Sequence, residues 1–204
     1  MTGLRAKHRA DRNQRILKAA TGLFQSLGYE AARIEQIAAE ADVSIGTIYN
    51  YYRNKGDILV AIVSMEVNEV LGVGEGIIKR PPKNVTKAID KLITTYFDHS
   101  LVYLDKDMWR QSMATSTQQP NSPFGKTYSA LDMALADQIC CLISVLKKLG
   151  LVQEGVDTRG VGEMLFNNQN MMFIDFVKND DMTLKQLCTR IRRQNKTLLT
   201  AIAK

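Results

Sequence analysis

The stretch "RIEQIAAEADVSIGTIYNYY" (33–52) constrains the chain most. Ile34, Ile37, Ala38 and Ala41 recur at helical spacing, and beyond the turn "DVS" Ile48 and Tyr52 stand four apart. Helices this short are unstable alone, so the two must pack on one another and on a brace. The preceding segment, 10–27, supplies it: Ile16, Ala20, Phe24 and Leu27 form one apolar stripe, and Gly28 stops the helix. Ala38 is small where the two short helices cross, and Val43 plugs the gap behind the turn. Ser44 caps the second short helix, expected over 45–52. Two short helices joined by a tight turn and braced by a third make a helix-turn-helix.

The outer side of that second helix is unusual. "SIGTIYNYYRNK" (44–55) holds Tyr49, Tyr51 and Tyr52 among Asn50, Arg53 and Lys55. A core helix would not carry that polarity, and a solvated one would not carry so many rings. Tyr52 falls on the inward side with Ile48; Gly46, Tyr49 and Asn50 fall opposite, with Thr47 nearby. Short polar side chains and a glycine at a helix N-terminus allow close approach to phosphates and base edges. The net charge of +6 suits an anionic partner. The basic segment "LRAKHRADRNQR" (4–15), with Arg5, Lys7, Arg9 and Arg12, is placed to reach the flanking backbone or minor groove of DNA.

The helical period continues through the rest of the chain, which has only four prolines in 204 residues, and no segment alternates as a strand does. Asn54 caps a fourth helix carrying Leu59, Ile62, Val63, Val67 and Val70. Gly72, Gly74, Gly76, Pro81 and Pro82 make 72–84 the strongest expected break. Further helices are expected over 85–104, 108–114 and 124–149, from 157 or 158 through Phe176, and from Thr183 onwards. The expected fold is all-α, with nine helices in two domains. Residues 1–56 form the helix-turn-helix domain, 57–76 a connector helix, and 77–204 a larger helical domain.

Several classes of function are disfavoured. No window approaches about 18 uninterrupted apolar residues, so a membrane span is not expected. The basic N-terminal segment lacks the apolar stretch of a secretory signal, which leads us to expect a cytoplasmic protein. Cys140, Cys141 and Cys188 show no C-x-x-C spacing and are expected as reduced, buried thiols. Adjacent helical residues point about 100° apart, which argues against Cys140 and Cys141 acting as a paired sensor. His8 and His99 have no nucleophile, base or metal-ligand spacing around them, so neither an enzyme nor a metal site nor a cofactor is expected.

"ILKAATGLFQSLGYEAARIEQIAAEADVSIGTIYNYYRNKGDIL" (16–59) resembles the DNA-binding domain of tetracycline-repressor (TetR) family regulators. Ala19, Ala20, Leu23, Phe24, Gly28, Tyr29, Ile37, Ala38, Ala41, Val43, Ser44, Gly46, Thr47, Tyr49, Tyr51 and Lys55 match the family pattern. Two positions depart from it. Asp42 stands where the family most often has glycine; aspartate tolerates the left-handed conformation better than most residues. "AAR" opens the first short helix where a hydroxyl often caps, leaving Arg33 for a charge-assisted contact. The resemblance implies DNA contacts by Ser44, Gly46, Thr47, Tyr49, Tyr51 and Lys55, the tyrosine hydroxyls donating to phosphates. Ile45 and Asn50 vary in the family and are expected at base edges, where asparagine suits adenine.

The resemblance also implies a homodimer, paired through the last two helices, on a pseudo-palindromic double-stranded operator. It further implies a small-molecule effector bound in the larger domain. From the residues, a pocket of rings, methionines and a few polar groups suits a mostly apolar ligand. Tyr96, His99 and Tyr103 share a helix side, Trp109 and Met113 follow, and Asn168 lies four residues from both Met164 and Met172. Asn168 alternatively sets register at a subunit interface. The reading is a ligand-responsive repressor released from its operator, with the fourth helix as lever. The alternatives are a helix-turn-helix protein that binds a protein partner and an activator without a small-molecule inducer.

Overall fold

The computed structural model describes residues 2–204; Arg5, whose side chain was expected in the basic arm, lies outside what is described at side-chain level. The described residues form nine helices: α1 (Thr2–Leu27), α2 (Ile34–Glu40), α3 (Ile45–Tyr49), α4 (Lys55–Lys79), α5 (Val85–His99), α6 (Lys106–Gln118), α7 (Pro123–Lys148), α8 (Thr158–Lys178) and α9 (Leu184–Ile202). They group into two compact units. The first comprises Met1–Met65 and Val102–Tyr128, the second Glu66–Leu101 and Ser129–Lys204. The first unit thus adds α6 and its flanks to the N-terminal helices, a grouping absent from the linear division at residues 56 and 76.

In the first unit α2 packs on both α1 and α3. Ile16, Ala20, Phe24, Ile37, Ala38 and Ile48 are buried in its core. Burying Ile48, the residue that seats α3, is worth roughly 1.5–3 kcal/mol. Asp42 has φ +52°, and the chain reverses there as a Schellman turn. Its N–H donates to the Ala39 carbonyl (3.2 Å), and that of Val43 to the Ala38 carbonyl (3.0 Å). Aspartate fills the usual glycine position because this turn needs only a modest left-handed φ.

In the second unit α9 packs on α5 and α8. Leu92, Leu142, Leu146, Phe176, Leu187 and Leu199 are buried here. Phe97 stacks on Phe173 and Phe173 on Phe176, with ring centres 5.7 and 5.8 Å apart. Among the described residues, α7 alone is long and apolar enough to cross a bilayer. Its Ala136, Ile139, Cys140, Leu142, Ile143 and Leu146 are buried while Met133 and Cys141 are exposed, the one-sided pattern of a core helix.

Several helix ends differ from expectation. α1 begins at Thr2 rather than residue 10, because the basic segment contains good helix formers. α3 ends at Tyr49, with Asn50 as its C-cap. α5 ends at His99, yet Leu104 beyond it is fully buried. α6 runs four residues past 114, to Gln118. α4 runs through Gly72, Gly74 and Gly76 to Lys79, so the expected break at 72–84 contracts to 80–84. Gly74 is explained by packing: a Cβ there would collide with the Gln138 amide. Cys141 is exposed rather than buried, because it points about 100° away from Cys140 on α7.

Candidate nucleic-acid interface

Ser44 accepts a hydrogen bond from the Thr47 N–H (3.1 Å), and the two hydroxyls lie 2.9 Å apart. This N-cap fixes the start of α3 and orients both hydroxyls together. Ile48 is fully buried below. Tyr52, also buried, donates its hydroxyl to Asn13 Oδ1 on α1 at 2.7 Å. Burial, the largest influence, raises the Tyr52 pKa. The opposite side is open: Ile45 is 42% and Tyr49 53% exposed, and Gly46 and Asn50 are exposed beside them. Two of the expected contacts, Tyr51 and Lys55, are instead engaged within the domain.

Tyr51 is half-buried. Its hydroxyl donates to the Arg9 carbonyl at 3.0 Å, and the Arg9 guanidinium lies 5.6 Å from its ring centre. The tyrosine thereby joins α3 to the basic part of α1, and its only hydroxyl proton already has an acceptor. Lys55 directs its ammonium to the carbonyls of Tyr29 (2.6 Å), Glu30 (2.9 Å) and Ala32 (3.2 Å). The same nitrogen lies 4.4 Å from the Tyr29 ring centre. A cation at a helix N-terminus opposes the macrodipole by roughly 0.3–1 kcal/mol; these carbonyls offset it. Burial, followed by the Glu30 charge, pushes the Tyr29 hydroxyl up to about 12. Arg33 is exposed at the start of α2, where its N–H donates to Gln36 Oε1 at 2.9 Å. Its guanidinium has no part in that cap.

The residues expected around an effector divide between the units. Tyr103, Trp109 and Met113 belong to the first, where Trp109 is buried. Tyr96, His99, Asn168 and Met172 belong to the second. Tyr96 is buried and donates to Gln138 Oε1 at 2.7 Å, while Gln138 Nε2 donates to the Leu71 carbonyl at 2.8 Å. Desolvation raises the Tyr96 pKa, keeping the hydroxyl protonated as that bond requires. His99 is half-buried between carboxylates, with Nδ1 2.7 Å from Glu66 and Nε2 3.2 Å from Glu69. Asn168 does not share a buried face with Met164, which is 60% exposed. It is half-buried and donates to Asn195 Oδ1 on α9 at 2.8 Å.

The fully inward amide of α8 is Gln169, one position further on, because the buried face runs through Leu165, Gln169, Met172 and Phe176. Its Oε1 has no hydrogen-bond partner, nor has Nδ2 of Asn195. The i, i+4 spacing of Leu165 and Gln169 was the available signal. Gln138 gave none, since its role depends on α4 and α5 passing beside α7.

A capped, half-buried recognition helix on a braced helix-turn-helix defines a DNA-binding protein. Residues 16–62 match the family described as "Bacterial regulatory proteins, tetR family". The "Fatty acid metabolism regulator protein" of Bacillus subtilis is 27% identical over 179 residues, 85% of this chain and 88% of that protein. The structure of FadR from Bacillus subtilis in complex with stearoyl-CoA matches with a TM-score of 0.68 at 23% identity, covering 93% of this chain and 98% of that one. Thermus thermophilus FadR, a TetR-family repressor in complex with lauroyl-CoA, matches at 0.66 and 20%, covering 92% and 93%. At these identities the two structures establish the shared fold. Residues 16–62 thus form a DNA-binding domain of the TetR-family type, and over most of its length the chain is similar to a bacterial transcriptional regulator.

Proposed function

We propose that the protein is a cytoplasmic repressor, released from its operator by an amphiphilic ligand with a long apolar part, of the acyl-CoA class. The observation that carries the DNA side is α3: capped by Ser44, seated by Ile48 and Tyr52, and open at Ile45, Tyr49 and Asn50. In this reading Ile45 and Asn50 meet base edges, and Ser44, Gly46, Thr47, Tyr49 and Arg33 meet the backbone. DNA binding is assigned to 1–56, with α4 leading from it and effector binding placed in 77–204. The ligand chemistry is suggested by the fatty-acid regulators that this chain resembles over most of its length. The rings and methionine of the second unit, with the buried, unpartnered Oε1 of Gln169 among them, support an apolar ligand with a fixed hydrogen bond.

The protein acts as a homodimer through α8 and α9, so that two recognition helices meet successive major grooves. Met164 and Met171, exposed seven residues apart on α8, support an apolar contact there. Effector and DNA binding are linked, each weakening the other by the same factor. Fluorescence anisotropy of a labelled duplex, selected by the protein from random DNA, tests this. Stearoyl-CoA should lower the affinity, whereas coenzyme A alone should not. Equal affinity for selected and scrambled duplex would sink the specific-regulator reading, and indifference to acyl-CoA of every chain length the effector reading. A monomer by analytical ultracentrifugation at micromolar concentration would remove the dimer.

A further inference from the structure

The family pattern carries Lys55 into the set of phosphate contacts, but its geometry points elsewhere. An ammonium has three hydrogens. Here three carbonyls of the α1–α2 turn receive them, those of Tyr29, Glu30 and Ala32, at 2.6, 2.9 and 3.2 Å. The Tyr29 ring lies 4.4 Å from the charge and is itself held edge-on by the buried Phe24, with ring centres 5.2 Å apart. Ala32 is only 2% exposed. A phosphate would have to draw the nitrogen out of this cradle and leave carbonyls behind it unpaired.

Both sides of the contact are firm. On the α4 side, the Asp57 N–H donates to Asn54 Oδ1 at 2.9 Å, and the Arg53 N–H donates to Asp57 Oδ2 at 3.0 Å. On the other side, the turn runs straight into α2, whose C-terminus is closed by the Asp42–Val43 turn that leads to α3, and α2 packs on α3. We propose that Lys55 is a positioning residue and not a phosphate contact: its ammonium fastens the first turn of α4 to the α1–α2 turn, so that α2 and the recognition helix follow α4. The proposal rests on the DNA-binding reading above and adds the joint through which motion of α4 reaches α3.

Salt dependence separates the two roles. A phosphate-bound lysine contributes about 0.9 to the slope of log affinity against log salt, whereas an internal tie contributes nothing. Anisotropy with the selected duplex across a potassium chloride series would compare wild type with Lys55→Met, Lys55→Arg and Tyr29→Leu. All three variants are expected to lose about tenfold or more in affinity with the wild-type slope. The planar guanidinium of Lys55→Arg fits a phosphate but cannot reproduce a three-carbonyl cradle. Without DNA, amide exchange at residues 29–33 should be faster in each variant.

A slope reduced by about 0.9 in Lys55→Met, or wild-type binding by Lys55→Arg, overturns the proposal. So does full affinity in Tyr29→Leu, which leaves every charge in place. The exchange measurement needs no DNA, and comparing selected with scrambled duplex in the wild type tests the regulator reading separately.

Discussion

The recognition helix α3 and the polar groups inside the second unit use similar side chains in opposite ways. On α3 the hydroxyls of Ser44 and Thr47 serve the cap, while Tyr49 and Asn50 face outward. In the second unit Tyr96 and Gln138 are closed into a buried chain ending on the Leu71 carbonyl, and Gln169 is buried with an acceptor left over. The first arrangement keeps polar atoms available to a partner at little expense in stability. The second places them where each must be matched or penalise the fold. Substitutions on the open face of α3 should therefore move affinity and leave stability alone, and substitutions of the buried polar groups in the second unit should do the reverse.

Asp132 offers the sharpest way to test the second half of that contrast. Burial pushes its carboxyl from the ordinary 3.8 up to about 6. Because the folded-state value is the higher one, the native protein binds more protons than the unfolded chain between those values. Stability then falls as pH rises through that window, by at most about 3 kcal/mol. Asp132→Asn should remove this loss, raising denaturation midpoints at pH 7 but not below pH 4. Equal gains at both pH values would dissociate the effect from ionisation.

Gly74→Ala comes next. Its Cβ would collide with the Gln138 amide, which two hydrogen bonds hold in place. The expected loss is about 1–3 kcal/mol in urea titrations. Gln138→Ala should recover part of it in the double variant, whereas simple additivity would show that the collision is relieved elsewhere.

On the α3 side, Tyr49→Phe removes an exposed hydroxyl. It should weaken binding by about 1 kcal/mol on selected and scrambled duplexes alike, with stability unchanged within about 0.5 kcal/mol. Thermal destabilisation by this variant would break the contrast directly. The smallest effect is expected from Gln169→Met, which keeps the volume and removes the unpaired acceptor. Thermal unfolding should show neutrality or a gain of up to about 1 kcal/mol. A large loss would reveal a partner for that oxygen.

The helix-turn-helix was legible because its physics is local. The apolar spacing of 34–41, the cap at Ser44 and the inward pair Ile48 and Tyr52 lie within a few residues of one another, and the structure agrees with each. Legibility failed at long range. The glycines of α4 read as a break because nothing nearby reveals that Gln138, 64 positions after Gly74, occupies the space of a side chain. The engagement of Lys55 by the α1–α2 turn and of Tyr51 by Arg9 was hidden for the same reason. On α8, the choice of Asn168 over Gln169 followed from setting the helical phase on Met164, a methionine that proves exposed.

The sequence by itself determined an all-helical chain, its three-helix N-terminal motif and a recognition helix with a polar outer face, since periodicity, caps and turn residues act over one or two turns. Only the tertiary structure decided which of those polar groups remain available. Whether a lysine or tyrosine meets solvent or a backbone carbonyl depends on which distant segment packs beside it, and local spacing carries no information about that neighbour.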